Sequence, residues 1–147
     1  PTLFCEQAVN LHLKSTNKED AIHEMIDVLV NAGAIQDKEA YTREIWKREK
    51  ESTTGVGMGV AIPHAQSKSV AKPMVAVGIS EHGVEYNSLD GKPVKMMFMI
   101  AVGENDGSLH LNVLSSLSKK LMHPEFISRI LETRSPVAMV NLLEMED

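Results

Sequence analysis

Residues 49–65 read E-K-E-S-T-T-G-V-G-M-G-V-A-I-P-H-A, and the rest of the chain is best read outward from them. The stretch passes from polar turn chemistry to a short apolar run and ends at Pro63-His64-Ala65. Gly55, Gly57 and Gly59 alternate with Val56, Met58 and Val60. Glycine tolerates positive φ and lets backbone N–H groups come close to another group. Val60-Ala61-Ile62 is short, apolar and partly β-branched, the pattern of a buried strand. Pro63 has no N–H for a ladder, so the strand is expected to end there. His64 would then emerge at a strand end beside an amide-rich loop. A neutral imidazole has one nucleophilic nitrogen, and the environment of the other selects the tautomer. On spacing alone, a cap or surface histidine and a bulged loop without ligand are the commoner outcomes. The same residues also suit a histidine that carries a group.

Upstream lie two helices. Ile22, Met25, Ile26 and Leu29 recur at i, i+3, i+4 and i+7, an amphipathic stripe. Ser15, Thr16 and Asn17 offer caps, with Thr16 and Glu19 fitting a capping box, and Gly33 is a C-cap signal. His23 falls off the stripe and reads as solvated. Asp37 caps a second helix running to about Lys50, with an inner face of Tyr41, Ile45 and Arg48. A guanidinium there suits phosphate or carboxylate, and equally an arginine snorkelling over the core edge. Before both helices, Val9–Leu13 alternates as a short edge strand with His12 exposed.

Downstream, Met74–Ser80 reads as a strand, Glu81-His82-Gly83 as a turn with His82 exposed, and Asp90-Gly91-Lys92-Pro93 as a second turn. Val94–Val102 is the longest strand. Its second half is apolar on both faces, which predicts a central strand in a sheet covered on both sides. Leu109–Met122 forms a helix capped by Ser108 or Asp106, with Val113, Leu114, Leu117 and Leu121 inside. His110 extends that stripe at the helix N-terminus, near the carboxyl end of the long strand, where sites of open α/β sheets form. A histidine on an apolar face is also often a packing residue with a hydrogen bond. His123-Pro124 and Ser135-Pro136 open two more short helices, the last with Val140, Leu142 and Leu143 inside. This order of elements predicts an α/β sandwich, a mixed sheet with helices on both faces.

The 147 residues fit one domain, 1–147, with a substantial core. The net charge of −5 and the lack of a basic block argue against nucleic acid. The longest apolar run, Met96–Val102, is far below a membrane span, so no membrane insertion is expected. No signal-peptide pattern opens the chain, and the single cysteine, Cys5, fits a reducing cytoplasm. The first residue, Pro1, reads as the start of an excised domain or a trimmed chain.

A longer pattern runs through these motifs. Glu49, six residues, Val56-Gly57, two residues, then Val60-Ala61-Ile62-Pro63-His64-Ala65 resembles the signature of enzyme IIA domains of the fructose/mannitol class, in the bacterial sugar phosphotransferase system. Asp90-Gly91-Lys92-Pro93-Val94, the apolar strand and His110-Leu111 leading into Leu114-Ser115-Ser116-Leu117 resemble the region of its second active-site histidine. The resemblance spans essentially the whole chain and implies the sandwich fold and phosphoryl relay. His64 would accept a phosphoryl group from the phosphohistidine of the carrier HPr and pass it to a cysteine of a sugar-specific IIB domain. His110 and Arg48 would assist, with Thr54 and the amides of Gly55, Gly57 and Gly59 holding phosphate. No metal or cofactor is implied. Residues 89–101 resemble fructose-type more than mannitol-type domains. Met58 departs from the pattern, standing where relatives often carry a small polar residue such as Asn that could orient the imidazole. Two alternatives remain open here: a regulatory IIA-like signalling module, and a metal-dependent hydrolase using His64 and His110.

Overall fold

A computed structural model describes residues 3–145; Pro1 lies outside them. In chain order the strands are β1 (Val9–Asn10), β2 (Gly55–Gly57), β3 (Val60–Ala61), β4 (His64–Gln66), β5 (Met74–Val84) and β6 (Val94–Val102). The helices are α1 (Lys18–Asn31), α2 (Lys38–Glu51), α3 (Leu109–Leu121), α4 (Pro124–Glu132) and α5 (Pro136–Glu144). The strands form one mixed sheet in the order β1-β5-β6-β3-β2, with β4 also on β6. β5 and β6 are antiparallel, whereas β3 and β4 run parallel to β6.

β6 is the central strand that its sequence predicts. Met97, Met99 and Ala101 enter one core with Ile22, Met25, Ile26 and Leu29 of α1 and Tyr41 and Ile45 of α2. Met96, Phe98, Ile100 and Val102 enter a second core with Val113, Leu117 and Leu121 of α3, Ile130 of α4, and Met139, Leu142 and Leu143 of α5. Fully burying one such side chain stabilises by about 1.5–3 kcal/mol. Helices therefore cover both faces of the sheet.

Local chemistry sets the helix ends, with some differences from expectation. The α1 cap is Asn17, whose side chain accepts from the Asp20 N–H, so the cap lies one residue beyond the Thr16 box. At the other end Gly33 has φ +83°, its N–H donates to Val30, and the Ala34 N–H donates to Leu29. That paired closure is a Schellman motif. Asp37 caps α2 through the Ala40 N–H. Glu81-His82-Gly83 is not a turn. β5 runs through it, with the register against β6 shifting between Ile79 and Val84 and Gly83 at φ +90°, so the extra residues bulge instead of reversing the chain. His23 is half-buried rather than solvated, its ring 6.1 Å from that of Trp46.

The most consequential difference is at Pro63. The strand does not end there. β3 pairs Val60↔Met96 and Ala61↔Met97, and β4 resumes with His64↔Ile100, Ala65↔Ala101 and Gln66↔Val102 in the same register. Pro63 gives up a donor, but its carbonyl still accepts from the Ile100 N–H at 2.9 Å, so the register carries across the break. The Gly55–Gly57 segment, expected to be a loop, is a strand that turns back on β3. The two turn residues, Met58 and Gly59, both have positive φ, +59° and +79°, the type I′ geometry of a tight hairpin.

α2 is fixed to the sheet beneath His64. The buried Tyr41 hydroxyl donates to the Ile100 carbonyl at 2.9 Å, and Ile100 is the residue in register with His64. Tyr41→Phe should therefore destabilise the protein by roughly 1–3 kcal/mol, because it leaves a buried acceptor poorer by one donor. Urea unfolding of both proteins measures this, and an unchanged midpoint would show that the bond contributes nothing.

Candidate functional site

β2 covers the outer edge of β3 but stops short of β4, which pairs with β6 alone among the described residues. The sheet edge at His64 is therefore open. α2 approaches it from one face and α3 from the other. Between them lies an open cleft of about 320 Å³ lined by Glu44, Lys47, Arg48 and Glu51 of α2, His64, Ala65 and Gln66 of β4, and His110 of α3. A larger depression beside Leu11, Lys95 and Arg134, about 500 Å³, holds His12 but no second histidine.

At the open edge the Ile62 peptide turns away from the ladder. Its N–H donates to the Thr54 carbonyl at 3.0 Å. Its carbonyl lies 2.9 Å from His64 Nδ1. A carbonyl can only accept, so the neutral ring carries its proton on Nδ1 and keeps the lone pair on Nε2. Burial lowers the basicity of His64 first. The Ile62 bond opposes this, and the Arg48 and His110 charges lower it further. The imidazole thus stays neutral below the ordinary histidine range.

The His110 ring faces that of His64, with centroids 6.4 Å apart and planes 28° apart. His110 is the second residue of α3, at the helix end whose partial positive charge favours anions. Its Nδ1 is buried with no hydrogen-bond partner among the described residues. Such a group is costly until a partner reaches it, and orphaned buried groups cluster at working sites. Arg48 is half-buried and donates from one guanidinium nitrogen to the Ser52 carbonyl at 2.9 Å. The pair of imidazoles finds no third metal ligand: among the described residues no group of three His, Cys, Asp or Glu side chains converges.

His64, His110 and Arg48 thus meet in one cleft, whereas Thr54, Gly55, Gly57 and Gly59 do not line it. Gly55 and Gly57 build β2, and Gly59 completes the hairpin turn. The Met58 N–H, in that turn, donates to the Asp90 carboxylate at 3.0 Å, while its side chain is exposed. Asn is favoured over Met in such a turn position for its tolerance of positive φ, so an asparagine there has a backbone reason. Orientation of the imidazole falls to the Ile62 carbonyl.

Thr54 is buried. Its hydroxyl lies 2.6 Å from Glu49 Oε2 and 2.8 Å from the Tyr86 hydroxyl. Glu49, only 8 % exposed, also pairs with Lys18 Nζ at 2.8 Å. Sequence reading missed this group. The signal was present: Tyr41, Ile45 and Glu49 follow one another at i+4 steps, so Glu49 continues the inner stripe of α2 as directly as Arg48.

Three kinds of relative share this arrangement of elements. The sequence matches the family described as "Phosphoenolpyruvate-dependent sugar phosphotransferase system, EIIA 2" over residues 2–145. It is 42% identical over 145 residues to the fructose-specific EIIABC component of Bacillus subtilis, covering 99% of this chain and 23% of that protein, so it spans about a quarter of that relative's length. It is 39% identical over 137 residues to the fructose-specific EIIA component of Haloferax volcanii, covering 93% of this chain and 89% of that one. Among solved structures it is similar to nitrogen regulatory protein IIA-Ntr of Neisseria meningitidis, with TM-score 0.88, 26% identity and 96% of both chains covered. It is also similar to Escherichia coli enzyme IIAMTL in complex with phosphorylated enzyme IIBMTL, with TM-score 0.78, 27% identity, and 93% and 94% covered.

The geometry predicts a titration. In an NMR titration His64 should protonate below the ordinary histidine range. Arg48→Gln should move it only part of the way back, because burial is the larger cause and remains. A midpoint at or above the ordinary range would contradict the described environment.

Proposed function

We propose, from the premise that the chain belongs to the EIIA 2 family of the phosphoenolpyruvate-dependent sugar phosphotransferase system, that it relays a phosphoryl group through His64. The observation that carries this reading is the Nδ1 bond to the Ile62 carbonyl, which leaves Nε2 as the nucleophile in a cleft shared with His110 and Arg48. In the first step the Nε2 lone pair attacks phosphorus of a phosphohistidine on the donor. The Nε2–P bond forms and the donor's N–P bond breaks, so no proton need leave His64. In the second step a cysteine thiolate of the acceptor attacks, an S–P bond forms and Nε2 recovers its lone pair.

Phosphoryl transfer is governed by positioning and by charge stabilisation on the equatorial oxygens. We assign the second task to His110, at the positive end of α3, and to Arg48. Thr54, Gly55, Gly57 and Gly59 act through the hairpin that holds the His64 strand. The donor we assign is HPr and the acceptor a IIB domain, a pairing supported by the IIAMTL–IIBMTL complex of the E. coli relative. Fructose is the sugar favoured, because two fructose-specific relatives match over nearly the whole chain. We assign the domain to the cytoplasmic side. Among the described residues no helix is long and apolar enough to cross a membrane. The likeness to IIA-Ntr favours a second reading, in which the phosphorylation state of His64 controls a regulatory partner.

Incubation with phosphoenolpyruvate, enzyme I and HPr should add one phosphate to the protein and none to His64→Ala, by intact mass. Labelling of His64→Ala to the same extent would remove the assignment. His110→Ala should still accept phosphate, with transfer slowed about 10²–10³-fold, the usual cost of one lost transition-state donor. Acceptance should fall off only as pH drops below the ordinary histidine range, since protonation removes the Nε2 lone pair and the environment delays it. Delivery to the cysteine of a fructose-type IIB domain separates relay from signalling. A protein that takes phosphate but passes none to any such domain supports the second reading.

A further inference from the structure

Lys18 and Glu49 each stand where a helix disfavours their charge. Lys18 is the first residue of α1, at the positive end of that helix, and Glu49 lies in the last turn of α2, at the negative end. They are joined at 2.8 Å, and the Glu49 side chain is almost wholly buried. A local rule broken twice by one buried pair marks a group held there for a reason other than helix stability.

The bonds around it run in one direction. The Glu49 carboxylate can only accept, so the Thr54 hydroxyl gives its proton to Oε2. The Tyr86 hydroxyl must then donate to Thr54 Oγ1. Tyr86 keeps its proton, because burial and, after it, the Glu49 charge raise its pKa well above the ordinary tyrosine range. Lys18 Nζ sits 4.7 Å over the Tyr86 ring. The Thr54 N–H also points to Glu49 Oε1, at 3.4 Å. Thr54 is thus gripped by its hydroxyl and its amide. Its carbonyl takes the Ile62 N–H, and the Ile62 carbonyl takes His64 Nδ1–H.

We propose that Glu49 and Thr54 are positioning residues for His64: through the Ile62 peptide they hold the imidazole in its Nδ1–H form with Nε2 turned to the cleft. This rests on the reading of His64 as the phosphoryl acceptor. Lys18 supplies the countercharge that keeps Glu49 ionised in place, and Tyr86 closes the remaining acceptor site. A free imidazole side chain prefers the other tautomer, with its lone pair on the nitrogen nearer the backbone. Releasing the Ile62 peptide therefore both reduces the reactive form and loosens its aim, and small misplacements at a reacting centre cost about 10²-fold.

The test uses two readouts that a merely structural network would not move together. The ring ¹⁵N shifts of His64 report its tautomer without any phosphate present. The rate of acceptance from phosphorylated HPr reports its reactivity. Thr54→Val keeps the shape and removes the hydroxyl, Glu49→Gln removes the charge, and Thr54→Ser restores the hydroxyl. The expected result is a mixture of tautomers in Thr54→Val and Glu49→Gln, with acceptance slowed tenfold to hundredfold by order of magnitude, and recovery of both in Thr54→Ser. Folded Thr54→Val and Glu49→Gln with His64 wholly Nδ1–H overturn the proposal, whether or not their thermal stability falls. If the wild-type protein accepts no phosphate at all, the relay reading fails, while the ¹⁵N shifts still decide whether this network sets the tautomer.

Discussion

The arrangement depends on one hydrogen bond, from His64 Nδ1 to the carbonyl of Ile62, two residues earlier. It exists because Pro63 interrupts a strand without ending it. On the inner side the register of β3 and β4 against β6 is unbroken, so His64 inherits the rigidity of the central sheet. On the outer side β2 covers β3 only, so the Ile62 peptide is free of the ladder. A carbonyl that would otherwise pair with another strand instead sets the tautomer of a histidine. Continuity on one edge and interruption on the other present a neutral nitrogen at a fixed position without a carboxylate partner.

Two cores converge on that position. The α1–α2 core brings Arg48 and the cationic Lys47 to one lip of the cleft, with Glu44 and Glu51 beside them. The α3–α5 core brings the N-terminus of α3 and His110 to the other. The lip therefore carries both signs of charge, and the attraction for an anion comes from the centre: a half-buried guanidinium, a helix N-terminus and an imidazole with an unpaired buried nitrogen. Such preorganised groups stabilise charge without rearranging as it develops.

Much of this was legible in the sequence, for identifiable reasons. The stripe of α1, its closing glycine and the two-sided apolar β6 follow from local periodicity and turn chemistry, which tertiary contacts only reinforce. His64, His110 and Arg48 were visible as polar residues at the ends of apolar patterns, and the cleft brings them together. The hairpin was not visible, because three alternating glycines carry no strand propensity and their pairing partner is set by the long-range edge of β3. Pro63 misled in the same way: its missing donor is a local fact, whereas the unbroken register is a property of β6. Glu49 was overlooked because a charged residue in the last turn of a helix ordinarily faces water, and the groups that bury it, Lys18, Thr54 and Tyr86, come from three other places in the chain.

The central claim is that the protein offers one ring nitrogen and withholds the other. The most direct measurement is the site of phosphorus attachment in the phosphorylated protein, read from ³¹P–¹⁵N couplings in the His64 ring. The account predicts phosphorus on Nε2, with Nδ1 still carrying its proton. Phosphorus on Nδ1 would contradict it, because that nitrogen is committed to Ile62.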